Sequence, residues 1–367
     1  MSFDRSAARA AAALSFGLLG LVAAQTPAQA QAASAPAKAL LPLADPQTNA
    51  FVDGLLKAWY APTAKRFATD GDALADRAQA WCSSAAKAAT PTTRDPALDA
   101  ARAAWVQAMA SWTRLSAVQI GPLLDRHSDT RLDFQPMRPA ALDKVIANPS
   151  APGEWAMDRV GAQARGLPAM EYLLWKKPAT PRSSSCAYLV VLARDVRDEA
   201  RELALAYAGE AAAPRTPAQA AEWFNTYVNQ WLAGMARLRW RDLEMPVRSW
   251  GMDQAPRAAS GQTALAWRER WLALRGMSVG GANSPDGLRG VTPLADYLKA
   301  RGLTTEAATM ARDIAAVDAG MQGANPATPG PQLLDTAKRV DTITHTMSRD
   351  VPAALQVQLE FSPEDGD

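Results

Sequence analysis

Glu171 is the residue in this chain best placed to do chemistry. It is the one charge in the ten residues 166–175, GLPAMEYLLW. Its neighbours at helical spacing are Leu167, Pro168, Leu174 and Trp175, all apolar. A solvent-facing Glu on a helix normally belongs to a continuous polar face. The pattern therefore predicts a carboxylate that is at least partly buried, and such a group needs a cation, a metal or several hydrogen-bond donors. Two roles fit equally: the anchor of a ligand or metal site, or one half of a structural ion pair tying two helices together.

Partners for Glu171 are to be sought in the two stretches that break the helical rhythm. These are 121–139 (GPLLDRHSDTRLDFQPMRP) and 245–261 (MPVRSWGMDQAPRAASG), rich in Pro, Gly and charge. Loops held by a rigid scaffold are where binding residues concentrate. Arg131, Asp133, Arg248, Ser249 and Ser260 are the candidate site residues on them, and for each a hydrogen bond internal to its loop is the plain alternative. Glu171 with Asp125, Asp129 or Asp133 would make an oxygen-only site suited to a hard cation. Arg131, Arg248 or Arg257 would instead make it a buried salt-bridge hub.

Several chemistries are excluded at this level. There is no HExxH, GxSxG, GxxxxGK[ST] or GxGxxG after a strand, so the common zinc, serine-hydrolase, P-loop and dinucleotide signatures are absent. Only two histidines occur, His127 and His345, too few and too far apart for a His-rich zinc site. His345 lies beside an apolar helical stripe and reads as a packing residue, while His127 reads as a solvated loop residue. A formal net charge of +2, with no basic stretch interleaved with aromatics, gives no case for nucleic acid.

The elements that must position these residues read as amphipathic helices. Asp95-Pro96 and Thr216-Pro217 are cap-plus-proline starts. After them run Leu98, Trp105, Met109 and Trp112, and then Phe224, Val228, Trp231 and Met235, at spacings of three, four and seven. Ser185 is the expected cap of a helix through Tyr207, and further helices cover Phe67–Trp81, Leu265–Leu274 and Leu333–Leu355. Alternating strand patterns are missing. The expected architecture is all-α, two helical bundles over 46–210 and 211–367 with a cleft at their interface, the Pro- and Ala-rich stretch 208–217 marking the boundary. Twelve Trp point to thick packing between helices.

The first 30 residues read as a secretory signal: Arg5 and Arg9, an apolar run over 10–24, and Ala28-Gln29-Ala30 as the cleavage site. Residues 31–45 read as a flexible leader. The apolar run is too short to span a bilayer and no later segment is apolar enough, so a periplasmic protein without a membrane span is expected. In an oxidising compartment Cys82 and Cys186 are expected to pair. The loop they close is worth about 4.7 kcal/mol in the chain-entropy account.

GLPAMEYLLW resembles the signature of the imelysin (peptidase M75-like) proteins of bacterial envelopes, a Gly-x-His-x-x-Glu followed by a Tyr-Leu-Leu-aromatic run. Gly166 and Glu171 match, while Pro168 stands at the His position. Gly121-Pro122, RLDFQP (131–136), CAYL (186–189) and the final LEFSPEDGD are similar to a Gly-x-Pro-x-x-Glu branch of that family. The resemblance implies a duplicated helical bundle, a cleft lined by Gly166, Pro168 and Glu171, and a part in iron, haem or other divalent-metal acquisition beside an envelope iron-uptake component. A non-catalytic envelope protein binding a peptide or small organic ligand is the alternative. Peptidase activity finds no nucleophile–base constellation in the sequence. Loss of the imidazole at position 168 leaves Glu171 as the motif's one tentative metal ligand.

Overall fold

Helix starts are written into the chain by short polar side chains followed by proline. Asp45 accepts the Thr48 N–H at 2.7 Å and opens α1 (Pro46–Leu55), which widens through a π turn (Leu56–Tyr60) into α2 (Ala61–Ser83). Asp95 accepts the N–H groups of Ala97 and Leu98 and opens α3 (Pro96–Leu115). These caps satisfy amides that a helix start otherwise leaves unpaired. The irregular stretch that follows contains two short helices, α4 (Pro122–Asp125) and α5 (Ser128–Leu132). Next come α6 (Pro139–Ala147) and α7 (Gly166–Glu171), the latter continuing as a π turn over Tyr172–Lys176.

The second half begins with α8 (Ser184–Ala212). Its cap is Ser183, which accepts the Cys186 N–H, and not the expected Ser185, which lies in the first turn. Both serines offer a hydroxyl at the right place, and the extended backbone at Ser183 decides between them. Thr216 and Gln219 cap each other reciprocally at the start of α9 (Pro217–Arg237), which runs on as π turns over Leu238–Glu244 and Pro246–Trp250. Then follow α10 (Thr263–Val279), α11 (Leu294–Ala300), α12 (Thr304–Gln322) and α13 (Pro331–Leu355). Helices α1, α6, α11 and α12 do not emerge from the hydrophobic periodicity. The inner face of α12 is Ala307, Met310, Ile314 and Val317 in an alanine-rich segment, and its contrast with the outer face is low.

This is a computed structural model, and it describes residues 42–86, 90, 92–280 and 290–359. The signal expected over 1–30, most of the leader over 31–45 and the tail motif after Leu359 lie outside them. The end of the leader does lie inside: Leu43 is buried and Arg301 donates to the Pro42 carbonyl at 2.8 Å. Among the described residues the fold is helical, with one isolated β-bridge between Ala151 and Glu154. None of these helices is long and apolar enough to cross a membrane.

Helix α2 packs along α8 and α3, and the Cys82–Cys186 disulfide, with its Cα atoms 5.4 Å apart, ties the end of α2 to the start of α8. Helix α13 packs on α12 and on the π turn after α9, while α10 packs on α12 and α11. Contacts of α3 with α10 and of α1 with α9 join these groups, and the described residues form one compact unit. Phe51 of α1 sits among Phe224, Tyr227 and Tyr297 at ring distances of 5.1–5.2 Å. Trp59, Trp81, Trp105, Trp112, Trp231 and Trp267 are fully buried. Two of these indoles also reach backbone oxygens, Trp81 to Ala179 at 3.1 Å and Trp105 to Leu167 at 3.0 Å. Large rings with one polar edge both fill the space between helices and tie loops to it.

Candidate functional site

The decamer is held by close backbone approach. Gly166 has φ +72°, and a Cβ there would stand 2.4 Å from the Leu132 carbonyl oxygen. Only glycine permits both the dihedral and the contact, so α7 starts directly against the end of α5. Pro168 lies in the first turn, where its missing N–H costs nothing. The Trp105 indole fixes the Leu167 carbonyl. Glu171, the last residue of α7, comes out buried at 5% exposure.

One oxygen of Glu171 takes two donors from the same residue: the Ser260 N–H at 2.8 Å and the Ser260 hydroxyl at 2.7 Å. The hydrogen-bond partner of this oxygen is a turn, 89 residues away in sequence. Within that turn Arg257 adopts φ +67°, unusual for a residue with a Cβ, and its carbonyl accepts the Gln262 N–H. The buried Arg257 guanidinium donates to Asp133 at 2.5 Å and lies 5.6 Å from the centre of the Trp105 ring. The other Asp133 oxygen accepts the Trp112 indole N–H at 3.1 Å. Both irregular stretches and the decamer therefore meet through Asp133, Arg257, Ser260 and Glu171.

The remaining candidates go elsewhere. Arg131 donates to Asp195 and Glu199 of α8, each at 2.6 Å. Arg126 and Ser128 donate to the same Glu199. Arg248 and Ser249 are exposed, with Arg248 4.0 Å from Glu244 one turn earlier. Asp125 is exposed as well. His345 is exposed on α13 and not a packing residue: the apolar stripe passes beside it through Val340, Ile343 and Met347. His127 is exposed in a left-handed conformation.

Beyond Arg257 lies a second set of charges that sequence reasoning did not reach. The π turn after α9 presents Arg241 and Asp242, and α10 presents Trp267 and Arg270. Asp242 accepts from Arg270 at 2.7 Å and from Arg241 at 3.0 Å. Burial pushes the Asp242 carboxyl up, but the charges of Arg270 and Arg241 hold it below the usual carboxylate range. Burial and the charges of Arg270 and Arg241 push the nearby Arg237 down to about 9, which leaves it protonated at neutral pH. Its surroundings are thus more cationic than anionic. In sequence, LRWRDLE (238–244) looks like a solvated charged run. A π turn is a wide helical segment often found at functional sites, and here it turns that run inward.

Residues fit for a metal are not assembled. Among the described residues no three of His, Cys, Asp and Glu come together in a way that could hold an ion. Pro168 offers no ligand, one oxygen of Glu171 is engaged by Ser260, and both oxygens of Asp133 and Asp242 are engaged by guanidiniums and an indole. This donor set is built for acceptors and anions rather than for a first-row cation.

The family model described as imelysin matches residues 60–348. Among solved structures, an imelysin-like protein from Psychrobacter arcticum 273-4 superimposes with a TM-score of 0.69 at 18% identity, over 88% of this chain and 99% of that one. At that identity the likeness speaks for the fold. No curated protein matches the chain.

Proposed function

The chain belongs to the imelysin family, and from that premise we propose that it is an exported, periplasmic binding or accessory protein of iron or other metal acquisition. Its cleft lies where two bundles, 46–210 and 211–367, meet around Glu171 and Ser260. The observation that carries this reading is the double hydrogen bond from Ser260 to the buried Glu171 carboxylate. It makes the decamer and the turn around Arg257 a single unit. In this reading Glu171 organises the site and does not ligate the metal, which arrives as a complex or is passed to a partner in the envelope. The export-type N-terminus supports the location. Hydrolysis is not part of the reading, because both histidines are exposed and the Ser260 hydroxyl is given to a carboxylate in a turn.

Titration of the purified protein with Fe(II), Fe(III), copper, zinc and haem tests it. The wild type binds one of these, and Glu171→Gln and Ser260→Ala weaken that binding together. Binding lost in Glu171→Gln but intact in Ser260→Ala would assign Glu171 as a direct ligand instead. No binding by the wild type rejects the metal reading. An envelope interaction protein for a peptide or small organic ligand is the second reading, favoured by the exposed Trp240 and Trp250. A stoichiometric crosslinked partner in envelope fractions, indifferent to metal, would select it.

A further inference from the structure

We infer that this protein carries a buried site for one chloride-sized monovalent anion, between the turn around Arg257 and helix α10. A small cavity there, of about 10 Å³, is lined by Asp133, Arg241, Asp242, Arg257, Trp267 and Arg270 among others. That is room for one small particle and no more.

Three buried donors belong to this lining and have no partner: Nη1 of Arg257, Nη1 of Arg270 and Nε1 of Trp267. Their residues are 3%, 3% and 2% exposed, so water outside does not reach them. Buried donors are almost always satisfied, and each one left bare is destabilising. Three such atoms on residues of one small cavity call for a common acceptor.

Charge decides what that acceptor is. The lining holds three guanidiniums, Arg241, Arg257 and Arg270, against two carboxylates, Asp133 and Asp242. Arg241 is the most exposed of the three, at 24% of its side chain, while Arg257 and Arg270 are sealed in. Every carboxylate oxygen of the lining already has a donor: Asp133 from Arg257 and Trp112, Asp242 from Arg241 and Arg270. The Thr113 hydroxyl donates to the Met109 carbonyl and the Pro256 carbonyl accepts from Thr263. A water could accept two of the bare donors, but its own hydrogens would find no free acceptor among these groups. A monovalent anion accepts all three and also cancels the charge. The cavity is too small for phosphate, sulfate or a carboxylate metabolite.

The site is independent of the metal-uptake reading, and either can fail without the other. Bromide, which substitutes for chloride and scatters anomalously, is the direct probe. Crystals of the wild-type protein grown or soaked in sodium bromide should show an anomalous peak inside the cavity, within hydrogen-bonding distance of Arg257, Arg270 and Trp267. Peaks confined to the surface, or a cavity holding only water, overturn the inference. In solution, replacing gluconate by chloride at constant ionic strength should raise the melting temperature by about 2 °C. The conservative variant Trp267→Phe, which removes one donor and keeps the ring, should reduce that rise by at least half. A rise equal in wild type and Trp267→Phe, or no rise in wild type, also counts against the site.

Discussion

Arg131 and Asp133 stand two residues apart and enter two different ionic clusters. Arg131 joins Arg126, Arg165 and Ser128 around Asp195 and Glu199 of α8. Asp133 joins Arg257, beside Arg241, Arg270 and Asp242. Each cluster sets three guanidiniums around two fully engaged carboxylates, and in the first Arg126 also lies 3.9 Å from a third, Glu202. They differ in how far water reaches the guanidiniums. In the first, the side chains of Arg126 and Arg131 are 31% and 32% exposed, so water solvates them. In the second, Arg241 is 24% exposed, but Arg257 and Arg270 are only 3% and 4% exposed and a cavity lies between them. The first is a clamp that closes the loop onto α8. The second holds Arg257 and Arg270 away from water with a bare donor on each and on Trp267 beside the cavity, which the ion pairs alone do not explain.

Asp242→Ala is expected to break the second cluster most severely. It strands Arg241 and Arg270 in a buried site, at a cost of about 3–5 kcal/mol, readable from the urea midpoint. A loss of under about 1 kcal/mol would mean that the two arginines reach water after all, and the contrast between the clusters would go.

Glu199→Gln tests the first cluster and should cost less, about 1–3 kcal/mol, since its arginines can turn to solvent. It also has a pH signature. Burial raises the Glu199 carboxyl, but the hydrogen bonds from Arg126 and Ser128 and the charges of Arg131 and Arg126 hold it below its ordinary 4.5. A carboxylate lowered in the folded state stabilises fully above the unfolded value, and that stability is lost as pH falls through the folded one. Asp242 is likewise held below its ordinary 3.8. Stability should therefore begin to fall below about pH 4.5 through Glu199 and lower still through Asp242. Denaturation midpoints across pH 3–6 check this, and the Glu199→Gln curve should be flatter than wild type in the upper part of that fall.

The smallest effects separate the tie from the rim. Ser260→Ala removes one donor to a buried carboxylate and should cost about 1–2 kcal/mol, with faster amide exchange over 251–262. Arg248→Ala, on an exposed side chain, should stay within about 0.5 kcal/mol. Equal effects would deny the Ser260–Glu171 bond its organising role.

Much of this was legible one residue at a time. Asp95-Pro96 and Thr216-Pro217 begin helices because capping and the tolerance of proline in a first turn are local properties. The burial of Glu171 was readable because four apolar neighbours on one helix leave a carboxylate nowhere polar to face. Cys82 and Cys186 are bonded, as expected of the two cysteines once the N-terminus is read as a secretory signal. What Glu171 bonds to was not readable, since Ser260 is one of several hydroxyls on a loop far along the chain. Arg241 and Asp242 were missed because a π turn rotates a run of charges toward the interior, and no periodicity of 3.6 announces that rotation.

The sequence by itself determined the helices with strong caps and contrasting faces, the buried carboxylate and the pairing of the cysteines. Each depends on neighbours within a turn or two, or on there being only one choice. The tertiary structure alone decided that Arg131 turns to α8 while Asp133 turns to Arg257, that Ser260 closes on Glu171, and that Arg126 and Arg131 meet water while Arg257 and Arg270 do not. Those outcomes depend on which helix surfaces meet and how much water they exclude, and exclusion of water is a property of the packed assembly, not of any stretch of chain.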